Sequence, residues 1–168
     1  MTARRFALPV DERKFVDLAL DQIEADPLPT GGKRKLEIGN AVLGVWLPLY
    51  LKDYWPLLTN ALKQAMFEHN GRALLTLADQ YAGRDSNGYR DNSMEVLTAV
   101  NCLDHSDAIP TADVPKHYAQ FEKTSPTFGR AFAYSLSLCH VWPVQSGKVT
   151  SAIAAGPVVR RPGDTSRR

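Results

Sequence analysis

The 168-residue sequence holds only two cysteines, three tryptophans and three methionines, and no apolar run of membrane-spanning length. Its most apolar stretch, Ala41 to Leu51, is broken by Pro48 and falls well short of the ~20 residues a spanning helix needs. No membrane span is expected. The N-terminal segment MTARRFALPVDERK is charged and contains no apolar block ending in small residues, so no cleaved leader is expected either. An excess of one charge sign is also missing. The formal charge is +2, but the last nine residues, RRPGDTSRR, carry four Arg against one Asp and leave the remainder near −1. A nucleic-acid binder spreads its basic residues over one face, because each neutralised phosphate releases counterions. No nucleic-acid partner is expected.

Several chemical patterns are missing as well. A nucleophilic hydrolase needs a Ser or Cys on a sharp turn, a His base and an acid that orients the His; the G-x-S-x-G elbow occurs nowhere in these residues. Ser146-Gly147-Lys148 ends like a phosphate loop, but Trp142 stands where the first Gly is required and Val149 follows the Lys, which excludes a P-loop. No segment of helical length shows the period-two alternation of a strand, although Pro157-Val158-Val159 suits the start of one. Repeats of 20–50 residues are not visible.

The residues present are rich enough in apolar side chains, at 44%, to bury a core. Val16, Ala19, Leu20 and Ile23 recur at helical spacing, with Asp11 as N-cap and Asp26-Pro27 as stop. LPTGGKR, from Leu28, is a turn. Residues 38–50 are apolar almost all round, which suits a helix covered on several sides and ended or kinked by Pro48. Asp53 is the expected cap of a helix whose first turn holds Pro56 and whose stripe is Leu57, Leu58, Ala61, Leu62, Ala65 and Met66, closed by His69-Asn70-Gly71. Leu74, Leu75, Ala78 and Tyr81 continue the period up to Gly83, after which RDSNGYRD reads as a surface loop. Further helices are expected over 94–103, from Thr111 or Asp113 through Phe121, and from a Ser125-Pro126 start. The inner face of the last is Phe128, Ala131, Phe132, Ser135 and Leu136. The expected fold class is mainly α.

Cys102 and Cys139 each have a His nearby, His105 and His140. A zinc site is conceivable, but the C-x-x-C framework is missing. Two buried thiols, one disulfide and a redox pair are the plainer alternatives. In an oxidising compartment the disulfide is favoured, since closing a loop this long contributes ~3–5 kcal/mol if unstrained. Asp104, His105 and Asp107 resemble a catalytic cluster and equally a solvated helix end. His69 and His117 read as solvated, and Trp46, Trp55 and Trp142 as core aromatics or pocket lining. No metal and no cofactor is expected.

Four blocks carry more specific wording: LYLKDYWPLLTNALKQA, GRALLTLADQYAGRDSNGY, AVNCLD and SPTFGRAFAYSLSLCHVWP. Together they resemble the C-terminal half of secreted, actinobacterial tripeptidyl-aminopeptidase-like α/β-hydrolases, serine peptidases of the prolyl-aminopeptidase clan. In that family a Tyr-x-x-x-x-Trp-Pro stretch opens a cap helix, followed by an Ala-Leu-Leu-x-Leu-Ala-Asp helix, a Cys-x-Asp element and a Cys-x-x-Trp-Pro element. Tyr50–Pro56, Ala73–Asp79, Cys102–Asp104 and Cys139–Pro143 match these in order, and the resemblance runs over about residues 10–158.

The resemblance implies a helical cap-like region over residues 1–145, without the catalytic sheet, and a truncated, disordered tail over 146–168. It places the family's nucleophilic Ser upstream of Met1 and the triad Asp and His beyond Val159, so no residue here is expected to be catalytic. Asp164 lacks the strand and Pro context of the triad acid. In related aminopeptidases, acidic cap residues hold the substrate's α-amino group, since a desolvated ammonium needs a carboxylate. By position that role falls to Asp104, then Glu95, with Trp142 lining the pocket. The implied function is that of a truncated serine hydrolase segment that shapes the site for a peptide substrate and is inactive alone. The alternatives are a non-enzymatic helical binding protein, a subunit completed by a separate Ser-bearing hydrolase core polypeptide, and a fragment without present function.

Overall fold

The computed structural model describes residues 12–104 and 108–144. Over these the chain is mainly helical, in the order α1 (Glu12–Ala25), α2 (Ile38–Leu49), α3 (Trp55–Glu68), α4 (Arg72–Tyr81), β1 (Arg84–Asp85), β2 (Gly88–Tyr89), α5 (Ser93–Asp104), α6 (Tyr118–Thr124) and α7 (Gly129–Ala133). Three 3₁₀ segments, Lys52–Tyr54, Thr111–His117 and Tyr134–Ser137, join these helices. The tail expected over 146–168 lies outside the described residues, as does Asp11.

α2 is the element that the others cover, as a helix apolar on nearly every side requires. Ala41, Val42 and Val45 are buried, and so is Pro48, which sits inside the last turn, where the helix ends one residue later. Its main neighbour is α4, whose Leu74, Leu75, Leu77 and Ala78 are all buried. The two backbones approach so closely that a Cβ at Gly44 would collide with the Leu74 carbonyl oxygen. α1 contributes Ala19, Leu20 and Ile23, and α3 contributes Ala61, Leu62 and Ala65, to the same core. Leu28 and Leu36 pair across an isolated antiparallel bridge and are fully buried, so the turn between α1 and α2 is tied into the core rather than draped over it.

Three expectations change on this scaffold. Asp53 does not cap α3: the chain winds into the 3₁₀ turn Lys52–Tyr54 first, which moves the N-cap position to Tyr54 and leaves Pro56 in the first helical turn. Leu57 points outward, 51% exposed, while Leu58 and Met66 pack on the core beside the buried residues of α3. The helix expected from Ser125 begins instead at Gly129, whose N–H reaches the Ser125 carbonyl at 2.7 Å, and it lasts five residues. Gly129 lies against the backbone of Phe121 and Glu122, where a Cβ has no room, so α6 and α7 pack backbone to backbone. Ser135 and much of Phe132 then face solvent, whereas Phe128 and Ala131 meet the core.

The second half docks onto the first through aromatics and one guanidinium. Trp46 of α2 stacks on Phe132 with centroids 5.5 Å apart and meets Phe128 edge-on at 6.1 Å. Arg130 bridges Glu122 at 2.6 Å and Glu24 of α1 at 3.5 Å, and it lies over the Tyr118 ring. A hydrogen bond with Tyr134, together with burial, pushes the Tyr118 phenol up to about 12. α5 is held differently. It packs on no helix to a degree comparable with α2 on α4, and a disulfide between Cys102 and Cys139 links its last turn to the chain after the final 3₁₀ segment.

Two outcomes follow from this packing. Gly44→Ala should lose about 1–3 kcal/mol in chemical denaturation, because the clash is with backbone and outweighs the better helix propensity of Ala. Gly39→Ala in the same helix, where the new Cβ meets nothing within 4 Å, should stay within about 0.5 kcal/mol; equal effects at the two sites would refute the close-approach account. Reduction of the disulfide, which spans 37 residues of sequence, removes about 4 kcal/mol of loop-closure stabilisation in the chain-entropy model. Hydrogen exchange in dithiothreitol should then speed up in α5 while α2 and α4 stay protected, and uniform acceleration would contradict this.

Candidate functional site

The residues singled out from the sequence fall around α5. Asp91 and Ser93 start the helix: the Asp91 carboxylate accepts the Ser93 N–H at 3.0 Å, and bonds from Ser93 hold its pKa below the usual carboxylate range. Glu95 lies in the first turn and Asp104 is the last residue, both exposed. Nine residues at 100° and 1.5 Å each put them on opposite faces, about 14 Å apart along the axis. The helix therefore does not bring them together onto one ammonium group. Trp142 is half-buried, and its backbone N–H donates to the Cys139 carbonyl at 3.1 Å. The disulfide thus ties the turn bearing Trp142 to the helix end bearing Asp104. His105 and Asp107 lie outside the described residues.

Cys102 is buried, and its sulfur is committed to Cys139, which removes both cysteines from any metal set. Among the described residues no group of three or more His, Cys, Asp or Glu side chains converges. His69 closes α3 in a left-handed conformation (φ 49°), 3.7 Å from an Asp26 carboxylate oxygen, and His117 ends a 3₁₀ segment.

One face of α5 is apolar and exposed. Val96, Leu97, Val100 and Leu103 form one stripe, each 43–55% exposed. Asp104 stands at the C-terminal edge of that stripe. Among the described residues no helix packs closely on these side chains, an unusual cost for a water-facing surface.

A cleft of about 540 Å³ opens elsewhere, between the start of the α1–α2 connection's last turn, α4 and the β1–β2 hairpin. Arg34 spans to Asp79 of α4 with contacts of 2.8 and 2.9 Å to the two carboxylate oxygens. Arg84 lies over the Tyr89 ring at 5.2 Å, and Arg90 donates from Nε to the Gly83 carbonyl at 3.2 Å. The Asp85 carboxylate accepts the Asn87 N–H at 2.7 Å and shapes the turn. Sequence reasoning treated this segment as a loop with little to bury. The signal was there in Asn87-Gly88, a dipeptide typical of tight hairpins, with an Arg on either side.

No family model matches the chain. Its sequence is 29% identical over 136 residues to serine protease Hip1 of Mycobacterium tuberculosis and of Mycobacterium bovis, an alignment covering 79% of this chain and 26% of the relative. It is 30% identical over 155 residues to carboxylesterase B of Mycobacterium tuberculosis, covering 83% of this chain and 28% of the relative. The chain thus spans about a quarter of the length of the curated relatives it matches. These similarities support a serine hydrolase family for the chain.

Proposed function

We propose that this chain is the helical cap-like segment of a tripeptidyl-aminopeptidase-like serine hydrolase. In this reading it shapes the site for a peptide substrate and supplies none of the catalytic triad. The observation that carries the reading is the bare apolar stripe of α5 beside the Cys102–Cys139 disulfide. A helix that exposes Val96, Leu97, Val100 and Leu103 needs cover, and the hydrolases it resembles are several times longer than the matched stretch. The names of the relatives cover peptide and ester hydrolysis; the motif resemblance at Tyr50–Pro56, Cys102–Asp104 and Cys139–Pro143 favours peptides and a free amino terminus. Asp104, at the edge of the stripe, is the carboxylate proposed to hold that ammonium, with Trp142, on the segment tied to the same helix end by the disulfide, proposed as pocket lining. Glu95, on the opposite face, is the weaker choice. The same stripe also suits a subunit completed by a separate Ser-bearing polypeptide.

The purified chain should not turn over aminoacyl or peptidyl chromogenic substrates, and activity that survives removal of contaminating hydrolases would overturn the reading. Combined with a polypeptide that carries G-x-S-x-G and restores turnover, Asp104→Asn should raise KM about ten-fold for substrates with a free amino group, the loss expected for one charge-assisted hydrogen bond. N-blocked substrates should be unaffected. An equal loss on both would remove Asp104 from amino-group recognition.

A further inference from the structure

The β1–β2 hairpin gives the cleft beside α4 a specific electrostatic character. The two-residue strands pair Arg84 with Tyr89 and Asp85 with Gly88, and Gly88 takes a φ of 121° that L side chains rarely adopt. This tight reversal brings Arg84 and Arg90, six positions apart, to the same cleft. Each is held in place without its charge being spent. Arg84 rests on the Tyr89 ring, and its Nε is shielded from solvent with no hydrogen-bond partner among the described residues. Arg90 is anchored by its Nε–H on the Gly83 carbonyl. Neither forms an ion pair among the described residues, whereas Arg34, which also lines the cleft, is neutralised by Asp79.

Guanidinium groups fixed by stacking and by backbone bonds have lost most of the freedom that binding an anion would otherwise cost. The charge of the cleft then selects the anion. Arg34, Arg84 and Arg90 against Asp79 and Asp85 leave one net positive charge. A dianion such as a phosphate would exceed that charge and face two carboxylates, whereas a carboxylate matches both the charge and the planar fork of an arginine. The volume, about 540 Å³, admits more than the carboxylate alone.

We propose that this cleft binds the carboxylate of a peptide, held by Arg84 and Arg90. The peptide half of the assignment rests on the hydrolase reading; the carboxylate half stands on the cleft.

The test is a titration of the 168-residue protein at low salt, followed by calorimetry and by the NMR signals of the arginine Nε–H groups. The probes are an N-acetylated tripeptide with a free C-terminal carboxylate, its C-terminal amide, acetate and inorganic phosphate. The acid should bind about ten-fold more tightly than the amide, and Arg90→Gln should remove about that factor, as expected for one charge-assisted contact. Arg84→Gln should do the same, but it also loses the stack on Tyr89. Arg90, exposed and outside the strands, is therefore the deciding position, with circular dichroism showing that the fold persists.

Equal binding of acid and amide, no binding at millimolar peptide, unchanged affinity in Arg90→Gln, or tighter binding of phosphate than of the acid would each overturn the proposal. Acetate binding as tightly as the peptide would overturn its peptide half. Because the readout is binding to this chain alone, it is independent of turnover: a chain that binds the acid while no complement restores hydrolysis would sink the hydrolase reading and leave the cleft assignment of a carboxylate standing.

Discussion

The close approach of α2 and α4 at Gly44 is the constraint on which the rest of the described structure depends. A glycine there lets the α2 backbone reach the Leu74 carbonyl, which brings Leu74, Leu75 and Leu77 into one core with Ala41, Val42 and Val45. With that pair fixed, α1 and α3 have a surface on which to lay Ile23 and Leu62. Trp46 is left at the rim of the core, free to receive Phe128 and Phe132. α4 in turn holds Asp79 in position for Arg34, so the wall of the cleft is a by-product of the same packing.

α5 is the exception to this logic. Its sequence, SMEVLTAVNCLD, has apolar residues in number but finds no comparable partner helix among the described residues. The disulfide compensates in part, since a cross-link limits how far the helix can stray without requiring a packed face. A helix tethered in this way and exposed along one side is the feature on which the proposed covering surface rests.

Much of the architecture was legible in the residues. The all-round apolar character of residues 38–50 identified the central helix, and the 3.6-residue period of Leu74, Leu75 and Ala78 identified its neighbour. Helix starts were less legible. Asp53 and Ser125 are good caps by residue type, but a preceding 3₁₀ turn and the contact of Gly129 with the α6 backbone shifted both boundaries, and neither effect is local to the cap. For the site, the resemblance named Asp104 and Trp142 separately, from two distant elements; the link between their segments depends on a cross-link between residues 37 apart. The arginine cleft was missed because its members, Arg34, Asp79, Arg84 and Arg90, come from three separate segments whose meeting is set by tertiary packing.

The most direct measurement is hydrogen exchange across Ser93–Asp104, first in the isolated chain and then in the presence of a co-expressed hydrolase core polypeptide that carries the G-x-S-x-G elbow. The account predicts fast exchange in the chain alone and strong, selective protection of α5 in a complex that elutes as one species. An α5 already as protected in the isolated chain as α2, or one that stays unprotected within the complex, would contradict it.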